Sequence, residues 1–193
     1  MRKPPSGRVT NQSALVLVSG GLDSMACLRI LHDQGFTVSG LHVSYGQAAA
    51  LQERRAAISV AAKMKVLLHL ARLSSEFKFG TGELVGRNLM LLSCALFLAD
   101  PKPNAIVMGV HQGSPYFDCS PRFITSMREQ ITEHTNGKTT LVTPFLEWEK
   151  VDIYAYIKKA RLPFDLTYSC EAGTKKTCGS CLSCLDRGAF LAD

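Results

Sequence analysis

Short apolar runs alternate along the chain with stretches in which apolar residues recur at helical spacing. The runs are typical of buried strands, and the amphipathic stretches of helices that cover a sheet. The pattern predicts strands at residues 13–18, 37–43, 66–70 and 105–110, and a short strand or extended piece at 141–145. It predicts helices at about residues 24–34, 52–63, 88–98, 121–134 and 149–160. This alternation indicates an α/β fold with a mainly parallel, doubly wound sheet.

The periodic part of the chain also suggests how the chain is divided. Residues 1–12 show no periodicity, so we expect a flexible N-terminal tail. Residues 13–165 hold all the predicted strands and helices and are expected to form one α/β domain. Within it, residues 74–86 contain three glycines and little periodicity, which predicts a loop. Residues 166–193 hold a cysteine cluster and are expected to form a C-terminal metal-binding segment.

Composition is that of an ordinary globular protein, with 46% hydrophobic and 20% charged residues among 193. The net charge of +6 suits polyanionic ligands such as nucleotides. No dense Lys/Arg block occurs, so there is no strong signal for nucleic-acid binding. No apolar run is long enough to span a bilayer, and no apolar core follows the basic start. We therefore expect a cytoplasmic protein without a membrane partner.

The stretch SGGLDS, residues 19–24, follows the first predicted strand and begins the first predicted helix. In an open parallel sheet, ligands bind at the carboxyl ends of the strands. Gly20 and Gly21 would let a ligand approach the backbone, and their N–H groups at the helix N-terminus favour an anion. Ser19 and Ser24 add hydroxyl donors. Asp23 fits a phosphate cradle if Mg²⁺ bridges it to the phosphates.

Two other nucleotide-binding motifs are excluded. The triplet GKT at residues 137–139 lacks the glycine that the Walker A motif needs five positions earlier, and it follows a predicted helix. The glycines at 80 and 82 begin a dinucleotide-binding pattern, but Val85 stands where its third glycine belongs. The remaining pattern, S-G-G-x-D-S, resembles the pyrophosphate loop of the adenine-nucleotide α-hydrolase superfamily. Those enzymes cleave ATP between the α and β phosphates and adenylate an oxygen of the acceptor.

Four cysteines near the C-terminus have the spacing C-x7-C-x2-C-x2-C: Cys170, Cys178, Cys181 and Cys184. Four thiolates at such spacing can surround Zn²⁺ as a tetrahedron, which makes a closed, structural site. The close C-x2-C-x2-C run is also compatible with an iron–sulfur cluster. Two disulfides or free thiols are a third possibility, less typical of a chain without a secretion signal. We predict zinc.

Glycine loop and cysteine cluster together resemble the QueC family of 7-cyano-7-deazaguanine synthases. Further stretches support the resemblance over about residues 13–190. They are YGQ at 45–47 with Glu53 downstream, GRNLMLLSCA from Gly86, GVHQGSPYFDC from Gly109, TPFLEWEK from Thr143, TYSC at 167–170 and CGSCLSCLDRGAF from Cys178.

The resemblance implies an ATP-dependent carbon–nitrogen ligase on the route to queuosine. Such an enzyme adenylates the carboxylate of 7-carboxy-7-deazaguanine, and ammonia attacks to give the amide. A second activation, of the amide oxygen, allows dehydration to the nitrile. The family also suggests a homodimer, with ATP, Mg²⁺ and Zn²⁺ as cofactors.

Site roles follow from the resemblance residue by residue. The catalytic residues implied are Asp23, Asp118 and Lys150. Nucleotide binding is implied for Ser19, Gly20, Gly21, Leu22, Asp23, Ser24, Tyr45, Arg87 and Asn88. Substrate binding is implied for Gln47, Tyr116, Phe117 and Asp118. The zinc ligands implied are Cys170, Cys178, Cys181 and Cys184.

Several of these residues also have a plain structural interpretation. Arg87 is compatible with a surface arginine, Asp118 with a cap in a loop, and Lys150 with the solvated first turn of a helix. Tyr116 and Phe117 are compatible with loop aromatics that only pack.

Some positions depart from the family pattern. Leu22 stands where the family usually has Gln, Ala48 and Ala49 where it has basic residues, and Ser120 where it has Arg. A variant is therefore a second hypothesis, one that stops at the amide or joins a deazaguanine acid to another amine, such as a protein terminus. A pyrophosphate-loop tRNA-modifying enzyme and a non-catalytic, zinc-stabilised nucleotide-binding subunit are further alternatives.

Overall fold

The computed structural model describes residues 11–73, 76 and 79–192. Most of the predicted N-terminal tail, and residues 74–75 and 77–78 of the predicted loop, lie outside the described residues. Elements of the described chain are β1 (Ser13–Leu17), α1 (Leu22–Asp33), β2 (Thr37–Ser44), α2 (Ala50–Met64), β3 (Leu67–Arg72), α3 (Arg87–Leu98), β4 (Ala105–Val107), α4 (Pro121–His134), β5 (Thr140–Val142), α5 (Lys150–Lys159) and α6 (Leu182–Ala192). Short 3₁₀ turns occur at Phe117–Cys119 and Phe164–Leu166.

The strands form one parallel sheet in the order β3-β2-β1-β4-β5. The chain runs outward from β1 to β3, then crosses back and continues from β4 to β5. The order therefore reverses between β1 and β4, which is the point where open α/β sheets bind ligands. The predicted α/β, doubly wound parallel sheet is confirmed.

Both faces of the sheet are covered by helices. Alternate residues of β1 enter different cores: Ala14 and Val16 pack with α1, α2 and α5, and Leu15 and Leu17 pack with α3 and α4. A strand buried on both faces must be apolar at every position, which is why β1 reads as a continuous apolar run. None of the helices in the described part of the chain is both long and apolar enough to cross a membrane.

Element ends differ from the predictions at functionally important places. Helix α1 begins at Leu22, two residues before the prediction, so its first turn includes more of the glycine loop. Strand β4 ends at Val107 rather than at residue 110, because the chain beyond it turns toward α1. There Gly109 lies so close to Asp23 that an added Cβ would be 3.1 Å from that residue's backbone carbon.

The C-terminal segment contains a helix, α6, that sequence analysis did not predict. The Arg187 guanidinium fastens this helix to the preceding turn, donating to Thr167 Oγ1 at 2.7 Å and to the Phe164 carbonyl at 3.0 Å. The Tyr168 N–H donates to the Gly20 carbonyl at 2.9 Å. The segment thus packs on the glycine loop, while its boundary as a separate unit at residue 165 stays a prediction.

Gly20 offers a test of the packing between the glycine loop and α2. Its φ is +90°, and an added Cβ would lie 2.6 Å from the Glu53 carbonyl oxygen in α2. Gly20→Ala should therefore incur the left-handed backbone cost of about 1 kcal/mol and an overpacking cost of about 1–3 kcal/mol. Urea unfolding of the two variants Gly20→Ala and Gly113→Ala measures the difference.

Gly113 is the matched control, because its φ is +91° and an added Cβ would meet nothing within 4 Å. Its alanine variant should show the backbone cost alone. Equal losses of stability in the two variants would contradict the tight contact between the glycine loop and α2.

Candidate active site

A cavity of about 340 Å³ opens at the carboxyl ends of β1, β2 and β4. Its position at the reversal of strand order is the one expected for a ligand site in this architecture. The wall comprises the glycine loop, the turn after β2, the start of α3 with the loop before it, the loop after β4, the start of α5 and the C-terminal segment. Its volume lies in the range typical of small-molecule pockets.

Hydrogen bonds among its own residues shape the glycine loop. Ser19 Oγ accepts from the Gly21 N–H at 3.2 Å and donates to Ser24 Oγ at 3.3 Å. Ser24 Oγ donates to the Gly21 carbonyl at 3.0 Å. No described side chain caps α1, whose N-cap is Gly21. The N–H groups of its first turn therefore lie at the cavity as an anion-binding edge.

Two residues of this loop, Gly20 and Leu22, are more buried than their assignment to nucleotide binding suggests. Gly20 is buried and is not among the described residues lining the cavity, and its missing Cβ makes room for α2 rather than for a ligand. Leu22 lines the cavity, but it is only 4% exposed and belongs to the core shared by α1, α2 and α5. Binding of nucleotide by either residue stays a prediction.

Asp23 and Lys150 form an ion pair at the mouth of the glycine loop. Lys150 Nζ lies 2.9 and 2.7 Å from the two carboxylate oxygens of Asp23, and both side chains are about three-quarters buried. The same ammonium group lies 5.7 Å from the centre of the Tyr154 ring. Lys150 is thus held in the cavity wall rather than solvated, where its charge can offset that of a pyrophosphate.

On the other side of the glycine loop, the turn after β2 holds a buried carboxylate. Gln47 accepts from the Tyr45 N–H at 2.8 Å and donates through Nε2 to Glu53 Oε2, also at 2.8 Å. Burial raises the pKa of Glu53, while the bond from Gln47 and the nearby Arg87 oppose that rise. Burial likewise raises the pKa of Tyr45 to about 12. Glu53 had no predicted role beyond its place in the family pattern.

Asn88 and Asp118 are tied to each other. The Asn88 N–H donates to Asp118 Oδ2 at 3.0 Å, and Asn88 Nδ2 donates to the Asp118 carbonyl at 2.9 Å. The Asp118 carboxylate thereby caps the N-terminus of α3, and it is not among the described residues that line the cavity. The contacts fit a cap, the structural interpretation that the sequence left open for Asp118, and its role in catalysis or substrate binding stays a prediction.

The neighbouring aromatic residues Tyr116 and Phe117 have different surroundings. Tyr116 lines the cavity, as does Arg87 at the start of α3. Phe117 is 63% exposed and packs edge-on against Phe123, with ring centres 6.0 Å apart. Of the two rings assigned to substrate binding, Tyr116, unlike Phe117, is among the described residues that line the cavity, and its role stays a prediction.

The four clustered cysteines meet as predicted. Their sulfur atoms all lie within 4.8 Å of one another, and those of Cys178 and Cys184 are 3.8 Å apart. A tetrahedral ion with metal–sulfur bonds of about 2.3 Å separates its ligands by about 3.8 Å, so the geometry fits one metal ion. All seven cysteines of the chain are free thiols, which contradicts the disulfide alternative.

Backbone N–H groups prepare the cluster for a cation. The N–H groups of Ser180 and Cys181 are the main cause that lowers the pKa of Cys178 to about 6. The Cys178 N–H in turn donates to Cys170 Sγ at 3.3 Å. Gly179 adopts a φ of +75° in the turn between ligands, a conformation that other residues adopt only with strain. Thiolate is the form that binds metal.

The cysteine-containing segment also supplies one wall of the cavity, which sequence analysis missed. Its lining residues are Tyr168, Ser169, Glu171, Ser183 and Asp186. Ser183 Oγ donates to Glu171 Oε1 at 2.9 Å, which joins the two ends of the segment. The one sequence feature that could have indicated this wall is that these polar residues lie between or beside the clustered cysteines.

Three positions that depart from the family pattern have structural roles. Ala49 is buried, and a Cβ on Gly173 would lie 3.0 Å from its Cα, so a small turn receives the C-terminal segment here. Ala48 lines the cavity beside it. Ser120 is the N-cap of α4, and its hydroxyl accepts from the Phe123 N–H at 3.2 Å.

A glycine loop between a parallel strand and a helix, at the reversal of strand order, defines an α/β protein of the pyrophosphate-loop class. Two solved structures share the fold at 12% identity: U34-tRNA thiolase NcsA from Methanococcus maripaludis (TM-score 0.54, 94% of this chain, 65% of that one) and NMN synthetase from Francisella tularensis (TM-score 0.56, 87% and 71%). Within this class, the family model for "Queuosine biosynthesis protein QueC" matches residues 13–85 and 83–192. The chain therefore belongs to the QueC family.

Curated relatives are similar in sequence to this chain over nearly its whole length. A protein of Methanoculleus marisnigri is 30% identical over 201 residues, covering 90% of each chain. One of Pseudoalteromonas atlantica is 28% identical, covering 91% of this chain and 92% of the relative. One of Methanosphaerula palustris is 30% identical, covering 93% and 94%. Each of these relatives is named 7-cyano-7-deazaguanine synthase.

Loss of one cysteine should disrupt the cluster. In Cys181→Ser we expect metal affinity to fall by at least about 100-fold, since even indirect partners of metal ligands contribute 10–100-fold. The C-terminal segment should then become sensitive to protease, because metal binding and folding are coupled. Competition with a chromophoric chelator and limited proteolysis measure both. Cys94→Ser, in α3 and outside the cluster, should behave like wild type; wild-type metal retention by Cys181→Ser would refute the assignment.

Removal of the Lys150 charge should weaken nucleotide binding. Lys150→Met deletes a charged hydrogen-bonding group worth about 1.5–3 kcal/mol and leaves the Asp23 carboxylate to repel phosphate, so affinity for ATP should fall about 10–100-fold. Calorimetric titration with a non-hydrolysable ATP analogue measures the change. Lys159→Met, an exposed position on the same helix, is the control. Unchanged affinity in Lys150→Met would place the phosphates elsewhere.

Proposed function

We propose that the chain is a 7-cyano-7-deazaguanine synthase. One observation carries the proposal: the glycine loop and the cysteine segment, the two features that define the family resemblance, form walls of one and the same cavity. The enzyme would use ATP and ammonium to convert 7-carboxy-7-deazaguanine into its nitrile. Nothing in the fold or the comparisons favours a tRNA-modifying enzyme, a non-catalytic subunit or an enzyme for another amine.

The cavity provides what both activation steps need. The first-turn N–H groups of α1 and the ammonium of Lys150 would hold the pyrophosphate part of ATP. The carboxylate of the acid would attack the α-phosphorus, and pyrophosphate would leave with the electrons of the broken P–O bond. Ammonia would then displace AMP to give the amide. The amide oxygen would attack the α-phosphorus of a second ATP in the same place and release a second pyrophosphate. Loss of AMP with the amide oxygen, and of both N–H protons to water, would give the nitrile.

The metal assignments are parts of this proposal. Asp23 has the hard oxygen donors that Mg²⁺ prefers, and it lies at the loop where the phosphates would bind. The four cysteine sulfurs have the number, type and spacing that Zn²⁺ prefers, with no ligand position left for substrate. Zinc would therefore supply structure and no chemistry. We also propose that the protein is cytoplasmic, as expected from the sequence, and a homodimer, on the family resemblance alone.

Mass spectrometry of a defined reaction tests the function. Purified, zinc-loaded protein is incubated with ATP, Mg²⁺, 7-carboxy-7-deazaguanine and ammonium. We expect the nitrile to accumulate with two molecules of AMP for each product. An Asp23→Asn variant should lose at least about 100-fold in rate, as expected when an electrostatic contribution at the reacting phosphate is removed.

Two results would overturn the proposal. Accumulation of the amide with AMP, and no nitrile, would identify an enzyme that stops after the first activation. No turnover from zinc-loaded protein would point to an acceptor other than ammonia, and the search would move to amine-bearing partners.

A further inference from the structure

Amide formation requires a base, because ammonia is almost entirely ammonium at neutral pH and ammonium has no lone pair with which to attack. The adenylated acid offers no base, and the anion-binding edge of the glycine loop consists of donors. A group in the cavity that binds a cation and accepts its proton would serve this step. This argument rests on the proposed function.

Most titratable groups around the cavity are already engaged. Both carboxylate oxygens of Asp23 bond to Lys150. The two ring nitrogens of His42 contact the Val18 carbonyl at 2.8 Å and Ser44 Oγ at 3.3 Å, so its imidazole is occupied. Cys119 is half-buried, and burial raises the pKa of its thiol.

Glu53 differs from these groups in its contact with the glycine loop and in the hydrogen bond that orients its carboxylate. Its main-chain carbonyl oxygen would lie 2.6 Å from a Cβ added to Gly20. The backbone of Glu53 is therefore in contact with the glycine loop, which would hold the α-phosphate. Glu53 is one of the residues that line the cavity, and Gln47 Nε2 donates to its Oε2 at 2.8 Å. Gln47 is itself fixed by the Tyr45 N–H, so the carboxylate has a defined orientation.

We propose that Glu53 is the general base that accepts a proton from ammonium as its nitrogen attacks the adenylated acid. The ammonium ion gives one proton to the carboxylate, and the freed lone pair forms the C–N bond at the acyl carbon. The C–O bond to AMP then breaks, and its electron pair leaves with AMP. The second proton passes from the nitrogen of the adduct to water, and Glu53 releases its own proton to water before the next turnover.

The surroundings of Glu53 fit this task. Its partial burial raises the pKa of the carboxyl group, which makes it a stronger base than an ordinary glutamate. Arg87 lies near enough to interact with its charge but forms no ion pair with it among the described residues. A negative carboxylate in a partly closed cavity also attracts the ammonium cation itself.

Glu53→Gln keeps the shape of the side chain and removes its basicity. Three measurements separate the steps. Acid-dependent exchange of pyrophosphate into ATP reports activation alone. Amide and nitrile formation from ammonium reports the step that needs the base. Hydroxamate formation from hydroxylamine, which is largely uncharged at neutral pH, reports attack by a nucleophile that needs no deprotonation beforehand.

In Glu53→Gln we expect pyrophosphate exchange and hydroxamate formation within about threefold of wild type. Products from ammonium should fall at least about 100-fold, the usual contribution of a general base. Glu129→Gln, the same change on the exposed face of α4, should match wild type in all three measurements. Glu53→Asp, which retracts the carboxylate, should lose ammonium-dependent products selectively but less severely. If Glu53→Gln does not fold, the same three measurements on Glu53→Asp test the proposal.

Parallel loss of exchange, hydroxamate and amide in a folded variant would overturn the proposal, because Glu53 would then serve activation. Full amide formation by Glu53→Gln would overturn it as well. So would a selective loss of the amide in His111→Gln with Glu53→Gln unaffected, since His111 also lines the cavity. A wild-type protein without acid-dependent exchange would instead refute the proposed function, and with it the role of Glu53.

Discussion

The close contact between Gly20 and the backbone of α2 is the constraint on which the site depends. It brings the loop after β1 and the carbonyl of Glu53 together without an intervening side chain. The turn after β2 is thereby set beside the loop, and with it Gln47 and the carboxylate that Gln47 holds. On the opposite side, the Tyr168 N–H bonds to the Gly20 carbonyl and fixes the C-terminal segment. One glycine thus positions two walls of the cavity.

Features that depend on local physics were predictable from the sequence. After Ser13, β1 is apolar at every position because both of its faces are buried, and the glycine loop was recognisable because it lies between that strand and a helix. The four cysteine ligands lie close together in the chain, so their spacing alone predicted that they would meet. Helix α4 begins and ends as predicted, with Ser120 as its cap.

Features that depend on contacts between distant parts of the chain were not predictable. Asp23 and Lys150 are 127 positions apart, and both were assigned to catalysis without any sign that they pair. Asp118 was assigned to substrate binding, which stays a prediction, and nothing in the sequence indicated that its carboxylate accepts from the Asn88 N–H, 30 positions away. The residues between the cysteines showed no periodicity that would place them in a cavity wall, and α6 was missed because the cysteines dominated the interpretation of that stretch.

The wall formed by the C-terminal segment has a thermodynamic consequence. Glu171 follows Cys170 and Ser183 precedes Cys184, both in the cysteine cluster, so the order that a bound ion would impose on the cysteines would extend to residues that line the cavity. A nucleotide that contacts this wall favours the same ordered conformation. Each ligand must then raise the affinity for the other by one common factor, because the coupling free energy between two sites is reciprocal. ATP would thus protect the protein from loss of its metal.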